Sequence, residues 1–199
     1  MISPALCRGL TLAECQHRDE TAVDHSRRLS QLVSKTGYLR VLVLLVQFPD
    51  HRERDLPDPS ALQQLFTGSQ HNEIIPTGSL QNWVGVNSYG KLRVDAEVQP
   101  WVITDKNEDV YANGQSGIYH SFSKSFFPAL DALEARGFDF SRFDQNGDGI
   151  IDAIVMLHSG YAAEISGLDC NNNRDKTNRI WSHAIPGVPP SDAWKGRTH

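Results

Sequence analysis

The pattern of hydrophobic positions changes abruptly about forty residues into the chain. Residues 1–38 are polar and mixed in charge, which predicts a loosely held lead-in with one helix at about Asp24–Val33. The segment Leu39–Phe48 is then almost continuously apolar and rich in valine, and Pro49 and Asp50 follow it. A run of this length indicates a central strand buried on both faces, as in a sheet that is covered by helices.

Two further segments predict strands. Lys91–Val98 alternates strictly between apolar and charged residues, which indicates a half-buried strand with one face open to water. Ile150–Leu157 is apolar over most of its length and predicts a second buried strand. We expect these two segments to join Val41–Phe48 in one sheet, with the first and third strands in central positions.

Helices are predicted between these strands. The candidates are Ala61–Phe66, a helix capped by Ser79 that runs to about Ser88, and a longer helix between about Gly117 and Arg136. Pro128 should kink or split the last of these, because proline cannot donate a helical hydrogen bond. The alternation of strand, helix and strand predicts an α/β layered domain.

Composition limits the functional classes. The 199 residues are 39% hydrophobic and 22% charged, an ordinary globular balance. A formal net charge of −5 gives no sign of a nucleic-acid partner. The longest apolar run, Val41–Val46, is far shorter than the ~20 residues that span a bilayer. No apolar segment typical of a signal peptide follows Met1.

The three cysteines do not identify a metal site. Cys7, Cys15 and Cys170 form no C-x-x-C pair, and an odd number cannot pair completely within one chain. We interpret them as ordinary thiols, although a bridge between the first two is compatible with the sequence.

The sharpest local signal is an acidic loop directly before the third predicted strand. Calcium takes six to eight oxygen ligands, and a coiled loop supplies them at alternate positions. The candidate ligands, at positions one, three, five, seven and nine, are Asp144, Asn146, Asp148, the backbone carbonyl of Ile150, and Asp152. Gly149 falls at position six, where an EF-hand needs a sharp turn. The sequence therefore predicts a calcium loop.

This loop departs from the EF-hand at position twelve, where Val155 replaces the bidentate glutamate. The missing ligand must then come from elsewhere, and Asp139 is one candidate. The competing interpretation is a turn rich in Asp and Asn that bonds only to its own backbone. We favour calcium, because four side-chain oxygen donors and the glycine are in register.

No catalytic motif is present in the 199 residues. No histidine begins an H-E-x-x-H motif, and neither a G-x-S-x-G elbow nor a P-loop occurs. His158, Glu164 and His183 could form a metal site, but their spacing fits no metal motif. We interpret them as hydrogen-bonded structural residues. Trp83, Tyr89 and Trp101 are interpreted as core aromatics.

Several segments together resemble one known family. They are Val41–Asp50, Gly78–Leu92, Trp101, Phe138–Asp152, His158–Gly167 and Ile180–His183. In order and approximate spacing they are similar to the catalytic domain of the immune inhibitor A family of secreted zinc metallopeptidases. The resemblance covers about residues 38–185.

This resemblance implies a zincin-like upper subdomain, an α/β (mixed α+β) fold with a twisted mixed sheet and flanking helices that is incomplete before the active-site helix. The chain would comprise a lead-in, 1–38, and a partial metallopeptidase-like catalytic domain, 39–199. The family also implies zinc, protein or peptide substrates and an extracellular location. Its zinc ligands have no matching positions in this sequence.

Three functional classes remain open. The chain is part of a peptidase domain, or an inactive calcium-stabilised binding module that kept the scaffold, or a calcium-binding domain related to dockerins. The single loop and its long α/β context argue against the third, because dockerins repeat the loop.

Overall fold

The computed structural model describes residues 37–118, 120–165, 168–169, 175–184 and 193–196. The predicted helix Asp24–Val33 and the three cysteines lie outside these described residues. Within the described part of the chain, no helix is both long enough and apolar enough to cross a membrane.

Three parallel strands form the described sheet. They are β1 (Gly37–Gln47), β2 (Leu92–Ile103) and β3 (Ile154–His158), in the spatial order β2-β1-β3. The α/β prediction is confirmed, and β1 is central as expected. The described sheet is wholly parallel, whereas a mixed sheet was predicted.

The prediction for the third strand was wrong in two respects. β3 lies at an edge of the described sheet, not in its centre. It also begins at Ile154 rather than Ile150, because the preceding residues close the acidic loop. Within that loop, the Ile150 amide donates to Asp148 Oδ1 and the Asp152 amide donates to the Phe143 carbonyl.

The core lies on the two faces of β1. One face carries Leu42, Leu44 and Val46, and the other carries Val41, Val43 and Leu45. All six side chains are at most 5% exposed. A strand buried on both faces needs apolar residues at every position, which explains why the sequence alternation disappears here.

Four α-helices accompany the sheet within the described residues. They are α1 (Pro59–Thr67), α2 (Leu80–Asn87), α3 (Glu108–Ala112) and α4 (Phe127–Ala135). Short 3-10 helices cover Pro49–His51, His120–Phe126, Phe140–Phe143 and Lys176–Asn178. α4 packs on the Leu42 face of β1 through Ala129, Leu130 and Leu133, and α1 packs on the opposite face through Leu62 and Phe66.

Local sequence explains where these helices begin. Asp58 caps α1, and Ser79 caps α2 in a capping box with Asn82. The predicted Gly117–Arg136 helix is split, as expected from Pro128. The proline occupies the first turn of α4, where its missing N–H leaves no intrahelical acceptor unpaired.

The prediction that two aromatic residues belong to the core was wrong. Trp83 on α2 is 64% exposed, and Tyr89 just beyond it is 91% exposed. Trp83 lies on the exposed side of a short helix that has no buried residue, and Tyr89 lies just after the end of that helix.

Candidate functional site

Buried ionisable side chains meet at the carboxyl ends of β1 and β3. These strands are parallel and adjacent, so their carboxyl ends lie at the same end of the sheet. His51 follows β1 in a 3-10 turn, His158 is the last residue of β3, and Glu108 begins α3. His51 and Glu108 are 1% and 3% exposed.

Glu108 is the centre of this cluster, which we call the Glu108 cluster and define as His51, Glu108 and His158. Glu108 Oε1 accepts a hydrogen bond from the Ile180 amide at 3.1 Å. Glu108 Oε2 lies 3.6 Å from His51 Nε2, and Oε1 lies 3.8 Å from His158 Nδ1. One carboxyl group thus connects α3, the ends of two strands and the segment near Ile180.

A glycine makes room for this carboxyl group. A Cβ atom on Gly160 would lie 2.2 Å from Glu108 Oε1 and 2.5 Å from its Cδ. Only a residue without a side chain fits beside a buried Glu108 in this position.

Ser159 fixes His51 from the other side. The Ser159 hydroxyl lies 3.0 Å from His51 Nδ1 and also accepts the Phe48 amide at 3.0 Å. Phe48 packs edge-on against the imidazole, with 5.5 Å between the ring centroids. His51 is therefore held by contacts with both strand ends.

Burial dominates the protonation of the cluster. It raises the pKa of Glu108 to about 7, and the hydrogen bond from the Ile180 amide opposes this rise. Burial lowers the pKa of His158 to about 4, and it lowers the pKa of His51 as well. The low-dielectric surroundings favour the neutral form of all three groups. Glu108 therefore gains and loses a proton near neutral pH.

Arg54 brings positive charge to the same region. Its Nη1 donates to the Ser159 carbonyl at 2.8 Å, and its Nη2 lies 3.7 Å from Asp169 Oδ2. The guanidinium also lies over the Tyr161 ring, 5.7 Å from the centroid. This charge favours the ionised form of Glu108 and opposes protonation of the neighbouring histidines.

The structure places His158, Glu164 and His183 near one end of the sheet without assembling them into a ligand set. Glu164 Oε2 accepts the Ser182 amide at 3.2 Å. A hydrogen bond with the Ser182 side chain is the main cause that lowers the pKa of this exposed carboxyl. His183 contacts the Trp181 carbonyl through Nδ1. Among the residues that the structure describes, no group of three or more His, Cys, Asp or Glu side chains is placed so that it could hold a metal ion.

The acidic loop is organised by its own backbone. Asp144 Oδ1 accepts the Gly147 and Asp148 amides, and Asp144 Oδ2 accepts the Gly149 amide at 2.8 Å. Asn146 Oδ1 accepts the Asp148 amide at 3.0 Å. Gly147 and Gly149 have φ values of 72° and 81°, which glycine adopts without strain.

Asp152 differs from the other acidic side chains of the loop. Its Oδ2 accepts the Gln145 amide at 2.8 Å, whereas its Oδ1 is buried and has no hydrogen-bond partner among the described residues. Burial raises the pKa of Asp152, and the charges of Asp144 and Asp148 raise it further. Asp139, the additional ligand candidate, instead caps the 3-10 helix Phe140–Phe143 through Ser141.

Sequence reasoning missed His51 and Glu108. They are 57 positions apart in the chain and belong to no motif. The one available signal was the position of His51 just after a buried strand, where polar side chains gather in parallel sheets.

Comparison with known proteins gives one distant similarity. No protein-family model matches the chain. Immune inhibitor A of Bacillus thuringiensis subsp. alesti is 25% identical over 189 aligned positions, which cover 79% of this chain and 27% of that protein. The chain thus spans about a quarter of the length of this relative. The similarity supports a distant relationship to that protein.

Proposed function

We propose that this chain belongs to a metallopeptidase-type protein and forms part of the framework of its catalytic domain. The observation that carries the proposal is the similarity to Immune inhibitor A over 79% of the chain. The α/β framework, with polar residues at the carboxyl ends of parallel strands, agrees with a catalytic scaffold of this kind. The substrates would be proteins or peptides.

The residues present do not fit a catalytic zinc. Such a site needs about three protein ligands and an open position for a water molecule. It also needs a glutamate that accepts a proton from the bound water. The sequence contains no H-E-x-x-H motif, and among the described residues no three His, Cys, Asp or Glu side chains are at present arranged to hold a metal. We therefore assign no catalytic step to these 199 residues.

The proposal is tested with the chain alone and with a longer product. The purified 199-residue protein should not cleave fluorescent casein, with or without added zinc. If the reading frame continues past His199, a longer product with an in-frame H-E-x-x-H should cleave casein. Replacement of the glutamate of that motif by glutamine is the matched control and should abolish cleavage.

Two results would contradict the proposal. One is chelator-sensitive cleavage by the 199-residue protein, because it would require a metal site that these residues do not provide. The other is a complete natural polypeptide without any H-E-x-x-H motif. That result would favour the alternative function, a non-catalytic binding module stabilised by calcium.

We further propose that the acidic loop binds calcium through the side chains of Asp144, Asn146, Asp148 and Asp152 and the carbonyl of Ile150. The supporting observation is the Oδ1 of Asp152, which is buried, has no hydrogen-bond partner in the described part of the chain and lies near two other carboxylates. A buried carboxylate oxygen without a donor is costly, and a cation would compensate it. The carboxylates must turn from the loop amides towards the ion, because the present arrangement forms no metal group.

Thermal unfolding tests the calcium proposal. A ligand that binds only the folded state stabilises it by about 2.7 kcal/mol at a hundredfold excess over Kd. Millimolar calcium should therefore raise Tm by several degrees, and magnesium should do so less, since it requires a tighter octahedral shell. Asp148→Ala should remove most of the response. Glu73→Ala, which removes an exposed carboxylate outside the loop, should retain it. Equal Tm values in calcium and in chelator would refute calcium binding.

A further inference from the structure

Helix α2 and the turn after it present an exposed apolar surface. Trp83, Val86 and Tyr89 are 64%, 76% and 91% exposed. No charged residue occurs between Leu80 and Gly90. Single exposed apolar side chains are ordinary on a protein surface, but three large ones within seven residues concentrate apolar area at one place. We call Trp83, Val86 and Tyr89 the α2 patch.

The other side of α2 is already occupied by the fold. Val84 packs against the core cluster between α1 and the sheet, and Gln81 Nε2 donates to the Val94 carbonyl at 2.7 Å. Tyr89 has a φ of 54°, in the left-handed region that a tyrosine rarely adopts, and this backbone conformation accompanies its exposure. The α2 patch is therefore the side of this helix that remains available to another element.

The chain enters β1 beside this patch. Gly37 pairs with Leu92 and donates to the Lys91 carbonyl, and Lys91 donates to the Ser88 carbonyl in the turn that follows α2. Gly37 has a φ of 108°, which allows the chain to change direction at this point. The residues that precede Gly37 thus join the described structure two positions from Tyr89.

The sequence before Gly37 contains a matching apolar pattern. The predicted helix Asp24–Val33 lies outside the described residues, and in it Leu29, Leu32 and Val33 recur at helical spacing. A helix of ten residues is about 15 Å long and is marginal in water unless its apolar side is packed. The connecting residues 34–36 reach at most ~11 Å, so such a helix would have the α2 patch within its reach.

We propose that the α2 patch binds residues 24–33 of the same polypeptide as a helix, with its apolar side on Trp83, Val86 and Tyr89. The short connection makes the contact intramolecular, so a small apolar interface is sufficient. A second copy of the chain fits less well, because each copy carries a formal charge of −5. The contact lies at the amino ends of β1 and β2, at the opposite end of the sheet from the Glu108 cluster. It would support the framework without covering that cluster.

Hydrogen exchange of the full 199-residue protein, followed by NMR, tests this contact. The amides of residues 29–33 should exchange about tenfold or more slowly than in a free peptide of residues 22–36. In the double variant Trp83→Ser, Tyr89→Ser, circular dichroism should show an unchanged fold, and these amides should exchange at the rate of the peptide. Trp181→Ser is the matched control, because Trp181 is an exposed aromatic residue outside α2, and it should keep the slow exchange.

Substitutions in the lead-in test the other side of the contact. The double variant Leu29→Ser, Leu32→Ser should increase oxidation of the Trp83 side chain by hydroxyl radicals about twofold or more, and oxidation of Trp181 should not change. Arg27→Ser is the matched control, because position 27 lies on the opposite side of the predicted helix, and it should leave Trp83 oxidation unchanged. These outcomes do not depend on any proteolytic activity.

Two results would overturn the proposal directly. They are exchange of residues 29–33 at the peptide rate in the unmodified protein, and slow exchange that persists when Trp83 and Tyr89 are replaced. Two others would assign the patch to a different occupant. Protection of Trp83 that increases with protein concentration would indicate a second copy, and protection that requires phosphatidylcholine vesicles would indicate a lipid surface.

Discussion

Replacing Glu108 by glutamine keeps the shape of a buried side chain but removes its ability to ionise. The variant Glu108→Gln can still accept the Ile180 amide through its amide oxygen. The groups that face this position and also carry charge or titrate are Asp50, His51, Arg54, His158 and Asp169. They are unchanged in the variant, so the comparison with the original protein isolates the proton of Glu108.

The direction in which stability changes with pH follows from the raised pKa of Glu108. Glu108 titrates at about 7 in the folded state, against an ordinary value of 4.5. The folded protein therefore holds a proton that the unfolded chain releases between these values. Its contribution to stability is fully present below pH 4.5 and is lost as the pH rises through about 7.

The magnitude follows from the same two values. The difference between 4.5 and about 7 corresponds to roughly 3 kcal/mol of folding free energy. Because part of this loss has occurred by pH 5, the free energy of unfolding of Glu108→Gln should rise by about 2 to 3 kcal/mol relative to the original protein between pH 5 and pH 8. Any difference in hydrogen bonding adds an offset that does not depend on pH.

Urea unfolding at several pH values between 5 and 8 measures this effect. Asp109→Asn is the matched control, because Asp109 is the exposed neighbour of Glu108 and should show no such trend. A constant difference in unfolding free energy between Glu108→Gln and the original protein over this range would refute the assignment of a neutral-range proton to Glu108.

Further substitutions test other parts of the structure. His158→Gln should make the free energy of unfolding less sensitive to acid. Because the pKa of His158 is lowered, its contribution to stability is present above pH 6.5 and is lost as the pH falls through about 4. Urea unfolding at pH 5 and pH 7 measures this loss. Gly160→Ala should destabilise the fold by about 1 to 3 kcal/mol, because its Cβ would meet the Glu108 carboxyl. Gly85→Ala on α2 is its control, since nothing lies within 4 Å, and it should stabilise by up to about 1 kcal/mol in the same assay. Leu44→Ala should cost about 2 to 5 kcal/mol of unfolding free energy, because the side chain is fully buried.

Local sequence alone determined most of the layered fold. Eight of the ten residues from Leu39 to Phe48 are apolar, which favours a strand buried on both faces, and β1 is that strand. Strict alternation identified β2, and Ser79 marked the start of α2. These features are local, because side-chain period and capping depend on residues within a few positions of each other.

The extent of β3 depended on more distant contacts. Ile150 and Ile151 are apolar, and by periodicity they belong to the strand. In the folded chain, hydrogen bonds from Ile150 and Asp152 tie this segment into the acidic loop instead. Whether the strand is central or at an edge likewise depends on which other strands pair with it, and a single segment carries no information on that.

Only the tertiary structure brought the Glu108 cluster together. Its members come from a turn after β1, the first residue of α3 and the last residue of β3, and none has a distinctive sequence context. The neutral-range pKa of Glu108 arises from burial beneath elements that are distant in sequence, with Gly160 leaving the necessary space. The pairing of side chains with the outer edge of β2 is a tertiary feature for the same reason. The Gln63 amide pairs with backbone groups more than thirty residues away, and only the packing of α1 on β2 places it there.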